Sequence, residues 1–424
     1  RDYKVTGVQT CALPILASLI ADVRLAIRNL QRNTRRTAVA VCTVAFGIMA
    51  FLLAGGFIEY IFQEMREATI HSQLGHLQVV RPDYFEKGIA DPYAFLLPGQ
   101  SPAQQVVEKT PGFASLAPRL ALSGLLSHGD ATIAFIGDGV DPEHEKRLSS
   151  GIAIVSGRDL ASATESAVVL GEGLARSMGL QPGDVVVLLA TAANGGANAV
   201  EVSVAGTFAT MYKDYDDRAL RLPLAVARKL MRVDGATSWV VLLDRTEQTA
   251  AAASHLNDTL KRDDFQIVPW TELADFYNKT VVLFSKQVSV VKYIIGLLIV
   301  LTISNTQTMG VLERTTEIGT SLAIGQRARH IMGMFIFEGI LVGLLGGVLG
   351  VALGYGLAQL ISAIGIPMPP PPGMARGYIG RILVSGDLAR DAFLLALIAT
   401  LLASIMPAWK ASRMNIVDAL RHNQ

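Results

Sequence analysis

The chain has 424 residues, of which 51% are hydrophobic and 17% are charged, and its formal net charge is +1. The charged share lies well below the roughly 25% of soluble domains, which favours a membrane protein. A net charge this close to zero excludes an overall attraction to nucleic acid, so we expect no nucleic-acid partner.

The N-terminal residues divide into two parts. Residues 1–15 match no helical or strand pattern, and we interpret them as a probable sequence artefact outside the fold. Residues 16–36 predict a cytoplasmic amphipathic helix, which lies along the inner leaflet and its membrane lipids or, alternatively, is simply solvated. Its apolar face is Leu16, Leu19, Ile20, Val23, Ile27 and Leu30, and its basic row is Arg24, Arg28 and Arg32.

Four later segments are apolar enough to cross a bilayer, which takes about 20 helical residues. The predicted spans are 37–58, 293–312, 331–364 and 392–408. Only the third span carries a charge, Glu338. Pro407 lies at the predicted end of the fourth span, where a proline costs least. The fold class that this pattern predicts is a membrane protein with four transmembrane α-helices.

Basic residues in the short flanks set the orientation, because they concentrate on the cytoplasmic side. Arginines and lysines cluster before the first span, within 313–330 and within the tail 409–424. The loop 365–391 also holds Arg376, Arg381 and Arg390, which weakens this bias without reversing it. We therefore expect a multi-pass protein of the inner (cytoplasmic) membrane with both termini in the cytoplasm and residues 59–285 outside.

Residues 59–285 predict a separate α+β domain, with two lobes as one possible arrangement, since strand-like runs alternate with short helical patterns. The predicted strands are His76–Val80, Ala131–Gly137, Ala167–Leu170, Val185–Ala190, Val200–Thr207, Trp239–Leu243 and Phe265–Val268. The predicted helices are Glu172–Met178, Ala225–Val233 and Gln248–Lys261.

Two amphipathic segments connect this domain to the spans and predict a helical stalk. One continues the first span through Phe57, Ile61, Met65 and Ala68, and the other leads into the second span. The apolar face of the second segment is Trp270, Leu273, Phe276, Tyr277, Val281, Phe284 and Val288. A continuous helix transmits displacement because its backbone hydrogen bonds are internal. The alternative is that these faces only pack into the domain.

The third span contains two further features. Its small residues recur every four positions and predict close helix packing, against the second span or a partner permease, with lipid-facing flexibility as the alternative. They are Gly339, Gly343, Gly346, Gly347, Gly350 and Gly354. Glu338 is predicted to be a structural carboxylate that is bonded to a neighbouring helix or protonated. A proton relay is the alternative, although the sequence shows no second ionisable residue beside it.

The order of the motifs resembles the FtsX-like ABC transporter permeases of the MacB and LolC/LolE group. The matching residues are Leu25–Leu30 with Arg35 and Arg36, Glu313–Gly319, Ala323–Gly325, Phe337–Gly339, Pro407–Arg413 and Asp418–Arg421. Parts of residues 168–208 resemble the MacB-like periplasmic domain of that family, inserted between the first and second spans.

The resemblance implies a permease that pairs with a second permease, as a homodimer or heterodimer, and with two ATPase subunits. It implies that segment 313–330 docks into the ATPase through Glu313, Arg314, Glu317, Ile318, Gly319, Leu322, Ala323 and Gly325. Ile318 and Leu322, four residues apart, are predicted to fill an apolar cleft of that partner. Thr316 and Leu322 stand where many relatives carry arginine, so the charge pairing with the ATPase is expected to differ here.

No catalytic, cofactor or metal constellation is present in the sequence. It contains no GxxxxGKS/T phosphate loop, so we expect ATP and Mg²⁺ to be bound by a separate ATPase chain and this chain not to be an enzyme. Three functions remain open. They are transport or release of a lipoprotein to a periplasmic carrier, drug or peptide efflux with an adaptor, and a non-transporting signal relay to a periplasmic enzyme. The absence of a fused ATPase favours the first.

Overall fold

A computed structural model describes residues 24–88, 91–99, 101–369 and 377–415. The sequence predictions for residues 1–15, for Leu16, Leu19, Ile20 and Val23, for Arg376 and for Asp418–Arg421 lie outside these residues. Contacts divide the described chain into two compact units. The helical unit comprises the described parts of Arg1–Ile61, Leu283–Ile366 and Gly380–Gln424, and the α+β unit comprises those of Phe62–Val282 and Pro367–Ile379.

Among the described residues, four long helices are apolar enough to cross a membrane, as predicted. After a first helix α1 over residues 24–32, the first of these is α2, Thr34–Thr69. The others are α11 (Asp275–Glu313), α13 (Ala328–Ile364) and α14 (Gly386–Ser412), and the shorter α12 (Thr315–Ala323) separates α11 from α13. Their shared core includes Val44, Ile48, Leu52, Ile299, Ile303, Val342, Ala396 and Ala403.

The helix α11 is the most exposed of the four within the helical unit. Only 11% of the residues in its most apolar window are buried, against 39–44% in the other three helices. Exposed leucines, valines and isoleucines are what a lipid-facing helix presents, because lipid tails solvate apolar side chains. The helix therefore contacts its neighbours through a narrow face around Ile299 and Ile303.

The α+β unit has ten strands in one sheet system. The strands are β1 (Leu77–Val80), β2 (Phe113–His128), β3 (Ala131–Val140), β4 (Ala153–Gly157), β5 (Ala167–Gly171), β6 (Val185–Thr191), β7 (Ala197–Ala209), β8 (Ala219–Pro223), β9 (Ser238–Leu243) and β10 (Gln266–Pro269). Its helices are α3 (Tyr84–Lys87), α4 (Pro102–Glu108), α5 (Pro142–Leu148), α6 (Glu172–Met178), α7 (Lys213–Asp216), α8 (Leu224–Met231), α9 (Thr249–Thr259) and α10 (Trp270–Leu273).

The strand pairing produces two lobes that share β2. One lobe is a closed ring in the order β2, β3, β8, β5, β7 and β6, with β6 pairing back to β2. The other is an antiparallel sheet in the order β2, β9, β1 and β10. Each lobe has its own core, the first around Leu120, Phe135 and Leu188 and the second around Trp239, Leu256 and Leu77.

The predicted strands and helices of this unit are present, with shifted ends, and the α+β class is confirmed. Three strands, β2, β4 and β8, were not predicted. In β2, Pro118 and Arg119 interrupt the apolar pattern, yet Pro118 keeps its register opposite Trp239. A proline normally argues against an interior strand because it cannot donate to the ladder.

Three boundaries differ from those predicted. The helix expected to run unbroken from Trp270 into the second span is interrupted at Ala274, whose φ of −85° and ψ of 57° are not helical. Pro407 lies inside α14, which continues to Ser412, so it does not end the span. The predicted loop 365–391 contains the short paired strands β11 (Ile366–Met368) and β12 (Tyr378–Gly380) and the first turns of α14.

Candidate functional site

The charged segment between the second and third spans is a short helix followed by a turn. The helix α12 begins after Arg314 and ends at Ala323. Gly325 has a φ of +98°, a value that residues with a side chain rarely adopt, so the glycine allows the chain to reverse before α13 begins. The segment therefore lies at the junction of two membrane-spanning helices.

One face of α12 is buried within the helical unit. Arg314, Ile318 and Gly319 are buried, and the side chain of Ile318 is 4% exposed. Ile318 packs in a cluster with Val311, Ile331 and Phe335, and Leu322 lies against that cluster. The prediction that Ile318 and Leu322 fill an apolar cleft of a partner is therefore wrong for Ile318 in this conformation, because its own bundle already covers it.

The opposite edge of the segment is open. Glu313, Glu317, Ala323 and Gly325 are exposed. Ile324, which the sequence analysis did not single out as a site residue, is 83% exposed.

Two ion pairs join the glutamates of this segment to the N-terminal helices. Arg32 Nη2 lies 2.6 Å from Glu317 Oε1, and Arg36 Nη1 lies 2.6 Å from Glu313 Oε2. Both glutamates are about half exposed, so each pair contributes only about 0–1 kcal/mol. Each glutamate can therefore exchange its arginine for another cation at little cost in free energy.

Glu338 is held by a buried polar network. Arg314 Nη1 donates to Glu338 Oε1 across 3.0 Å, and Asn29 Nδ2 donates to the same oxygen across 2.9 Å. The side chains of Arg314 and Glu338 are 9% and 8% exposed. The sequence analysis missed this second ionisable residue because it assigned Arg314 to the ATPase surface. These contacts bond Glu338 to neighbouring helices, which is the arrangement expected of a structural carboxylate inside a span.

The glycines of α13 form two rows that contact two different helices. A Cβ at Gly339 or Gly343 would overlap Ser404 or Thr400 of α14, and one at Gly347 would lie 3.0 Å from Phe393 of the same helix. On the other row, a Cβ would lie 2.6 Å from Val44 Cβ at Gly346, 2.8 Å from the Ala45 carbonyl oxygen at Gly350, and 2.9 Å from Leu52 Cδ1 at Gly354. The rows thus pack mainly against the fourth and first spans. Gly339 also approaches the predicted second span, since its Cβ would lie 3.1 Å from Gln307 Nε2 of α11, and packing against a partner permease stays a prediction.

A cleft of about 220 Å³ opens beside this network, between α1, α12 and the start of α13. It is lined by Leu25, Asn29, Arg314, Glu317, Ser321 and His330, among others. Arg314, although buried, thus lines a cleft that opens to the surface. Arg314 and Glu317 therefore line one cleft, which joins the buried network to the ion pair of Glu317 with Arg32.

Two residues of this region were not predicted as site residues. Asn29 lies within the motif Leu25–Leu30, which contributed to the family resemblance. That motif could therefore have indicated Asn29 as a site residue. Ile324 lies within Ala323–Gly325, another part of the resemblance, but no physical pattern in the sequence distinguishes an exposed isoleucine from a buried one nearby in the same segment.

Two family models match this chain. Residues 37–259 match the model described as MacB-like periplasmic core domain, and residues 289–416 match that described as FtsX-like permease C-terminal. Together they cover parts of the four long helices and most of the α+β unit, in the order in which the structure has them, while α1 and residues 260–288 lie outside both matches.

The similar proteins are mainly macrolide export ATP-binding/permease proteins MacB. That of Sodalis glossinidius is 27% identical over 94% of this chain and 60% of its own length, and that of Rhodospirillum rubrum is 28% identical over 96% and 61%. That of Syntrophobacter fumaroxidans is 30% identical over 42% of this chain and 24% of its own length. The chain thus spans less than two thirds of the length of these MacB proteins.

Among solved structures, the periplasmic region of MacB from Actinobacillus actinomycetemcomitans aligns with a TM-score of 0.35 and 15% identity, over 48% of this chain and 92% of that one. The extracellular domain of the transporter YknZ from Gram-positive bacteria aligns with a TM-score of 0.32 and 13% identity, over 45% and 98%.

Proposed function

The chain belongs to the MacB/FtsX family of ABC transporter permeases, and from this premise we propose that it converts ATP hydrolysis by a partner ATPase into movement of its α+β unit. In this proposal the ATPase is a separate subunit that binds ATP and Mg²⁺. It docks on the open edge of segment 313–325, and a second permease completes the complex. The orientation follows the basic flanks, with the segment in the cytoplasm and the α+β unit outside the inner membrane.

The exposure of Ile324 is the observation that supports docking best. A large apolar side chain that is 83% exposed beside a glycine turn, in a segment that also carries two half-exposed glutamates, offers a partner an apolar anchor together with charged groups. Protein interfaces use this arrangement of an apolar centre and a polar edge. The ion pairs from Arg32 and Arg36 hold Glu317 and Glu313 until a partner offers its own cations.

The length of the helices supports transmission of the movement. The helix α2 has 36 residues and α11 has 39, so each is roughly 55 Å long at about 1.5 Å per residue. Neither is interrupted between its ends, although the chain passes from one unit to the other within each helix. A continuous helix is the simplest element that carries a displacement over that distance.

Within the α+β unit, Tyr212 contacts the ends of both long helices. Its hydroxyl is hydrogen-bonded to the hydroxyl of Thr69 at the end of α2. Its ring packs edge to face with Phe276 at the start of α11, with centroids 5.5 Å apart. Tyr212 is therefore well placed to transfer motion of either helix to the segment after β7.

For the cargo, we propose release of a lipoprotein or similar lipophilic molecule from the outer leaflet to a periplasmic carrier. Efflux of a drug or peptide with an adaptor is the second candidate, and the macrolide export for which the MacB relatives are named favours it. A signal relay to a periplasmic enzyme is the third. ATP-dependent release of radiolabelled lipoprotein from spheroplasts, compared with ATP-dependent export of a macrolide from inverted vesicles, separates the first two.

The docking proposal is tested by ATPase stimulation. The full chain is reconstituted in nanodiscs with the ATPase that co-purifies with it, and Ile324→Asp and Glu317→Arg are compared with the parent chain. We expect each variant to reduce stimulation at least about fivefold, which corresponds to about 1 kcal/mol. Ile364→Asp is the matched control, because Ile364 is 86% exposed at the other end of α13. Stimulation that is unchanged in both segment variants would exclude docking at this edge.

A further inference from the structure

The α+β unit contains a cleft of about 370 Å³ on the outer face of the β2–β3 hairpin. The register pairs Ser123 with Ile136 and Ala121 with Asp138, so these four side chains lie on one face and form its floor. The wall is Tyr84 and Phe85 of α3 together with Pro92 and Tyr93, and Tyr215 of α7 also lines it. We call this feature the aromatic cleft. Its volume lies within the range of small-ligand sites, roughly 300–1,000 Å³.

The aromatic cleft presents apolar surface to water. Phe85 is 36% exposed and Ile136 is 40% exposed, although both belong to a well-packed unit. The rings of Tyr84 and Phe85 are T-shaped with centroids 5.1 Å apart, which holds the two aromatic side chains in fixed positions. Burial raises the pKa of Tyr93 to about 12, so this wall is a poorly solvated environment. An apolar or aromatic body of a ligand would gain by covering these side chains.

Asp138 is the only charged residue among the described residues that line the cleft. The Tyr215 hydroxyl donates to Asp138 Oδ2 across 3.2 Å, and burial, followed by the charge of Asp138, raises the pKa of Tyr215, which keeps this hydroxyl protonated. Within the part of the chain that the structure describes, Asp138 Oδ1 accepts no hydrogen bond. One oxygen of a half-buried carboxylate thus remains available to a ligand.

The nearby arginines do not form an ion pair with Asp138. Arg119 and Arg221 both bind Glu145, at 2.6 and 2.8 Å, and all three side chains are buried. Neither arginine lines the aromatic cleft or lies within salt-bridge distance of Asp138. Their charges are directed toward Glu145, the Ser149 hydroxyl and the backbone carbonyl of Gln73. The charge of Asp138 still contributes to raising the pKa of Arg119, but it does so without a direct contact. The described lining of the cleft therefore carries one negative charge beside its aromatic side chains.

We infer that the aromatic cleft binds an amphiphilic organic cation, with its ammonium group at Asp138 and its apolar body against Phe85 and Ile136. Aromatic rings attract cations through their quadrupoles, and a carboxylate adds a full opposite charge. A neutral ligand of the same shape would cover the carboxylate without supplying an opposite charge, and an anion would be repelled. This site is separate from the proposed ATPase contact and needs neither nucleotide nor ATPase.

The test uses the full chain in nanodiscs, without ATPase, and two probes of matched shape. Benzyltrimethylammonium carries the charge, and in the neutral dimethyl benzyl carbinol a carbon replaces its nitrogen and a hydroxyl replaces one of its methyl groups. Binding is measured by calorimetry, and empty nanodiscs correct for partition into lipid. We expect the cation to bind at least about tenfold more tightly than the carbinol, since a buried charge pair is worth more than about 1.4 kcal/mol. Equal affinities for the two probes would overturn the inference.

Variants locate the site. Asp138→Asn should abolish the preference for the cation, whereas Asp130→Asn, which removes the same charge from the exposed turn of the same hairpin, should retain it. Phe85→Leu keeps an apolar side chain and tests the ring independently of the carboxylate, in case Asp138→Asn fails to fold. It should weaken the binding of both probes about two- to fivefold, because the ring contacts the apolar body that they share. A preference for the cation that survives Asp138→Asn, or affinities that are unchanged by Phe85→Leu, would place the binding elsewhere.

Discussion

The guanidinium of Arg314 lies 3.0 Å from the carboxylate of Glu338, a buried ion pair between the start of segment 313–330 and the third membrane-spanning helix. The pair ties α12 to α13, and Asn29 ties the same carboxylate to α1. A partner that displaces α12 must therefore move these helices together or separate two charges in a poorly solvated place. Breaking such a pair by removing one partner costs several kcal/mol.

The energy of this pair can be measured with a double-mutant cycle. Glu338→Leu should lower the free energy of unfolding by roughly 3–5 kcal/mol, because it leaves the Arg314 charge buried without its partner. Arg314→Met combined with Glu338→Leu should recover most of that loss, since apolar residues can replace a buried pair. Denaturant unfolding of the full chain in detergent gives the values. Arg390→Met, in the exposed pair with Asp387, should change the unfolding free energy by less than about 1 kcal/mol. If the losses of unfolding free energy in the two single variants simply add in the double variant, Arg314 and Glu338 are not coupled.

The glycine row facing α2 predicts a strong position dependence for added methyl groups. Gly350→Ala should destabilise the chain by about 1–3 kcal/mol, because its Cβ meets the Ala45 carbonyl oxygen and the Ile48 side chain, and backbone atoms cannot move aside cheaply. Gly356→Ala is the control on the same helix, since a Cβ there meets no other described atom within 4 Å. Thermal unfolding in detergent compares the two. If both substitutions lower the melting temperature equally, close packing against α2 is not the reason why glycine is required at position 350.

His76 makes the stability of the α+β unit depend on pH. Its Nδ1 accepts a hydrogen bond from the Leu243 N–H across 3.0 Å, so the folded state requires this nitrogen to be unprotonated. Burial, with help from His71, lowers the pKa of His76 from 6.5 to about 4. The unfolded chain therefore binds a proton first as pH falls, and the unit should lose stability between pH 6.5 and about 4, with no further loss from this group below that.

The measurement is the unfolding midpoint as a function of pH. His76→Gln should flatten the curve within this window, while His255→Gln, on an exposed face of α9, should leave it unchanged. Identical curves for the two variants would show that another group titrates there.

Tyr212 predicts a local effect at the ends of both long helices. Tyr212→Ala removes the hydrogen bond to Thr69 and the ring contact with Phe276, so amide hydrogen exchange should accelerate near residues 66–69 and 275–279. Tyr212→Phe keeps the ring and should accelerate exchange only at the end of α2. Exchange that is unaltered at both ends in Tyr212→Ala would remove this residue from the proposed path of motion.

The sequence allowed the spans to be predicted because an uninterrupted run of about 20 apolar residues is rare outside membrane-spanning helices. It did not predict the pairing of Arg314 with Glu338, since these residues are 24 positions apart and Asn29 is 309 positions from its partner. Whether an arginine at a helix boundary turns inward depends on the packing of three helices. The residues that neighbour Arg314 in the sequence do not show whether its side chain is buried.

The sequence likewise does not show which of the two isoleucines in segment 313–330 is buried. Ile318 and Ile324 are the same residue type in the same short segment, yet one is 4% and the other 83% exposed. The turn at Gly325 and the contact with Phe335 determine which one is covered, and both are properties of the folded chain. The missed strand β2 is similar, because Pro118 reads as an interruption until the partner strand is known.

The shared strand β2 determines how the α+β unit comes apart. Its first half pairs with β9 and its second half with β3 and β6, so one continuous backbone ladder belongs to both cores. Neither lobe can lose its sheet without removing a neighbour from the other. The unit should therefore melt in a single cooperative transition, as one foldon with two cores.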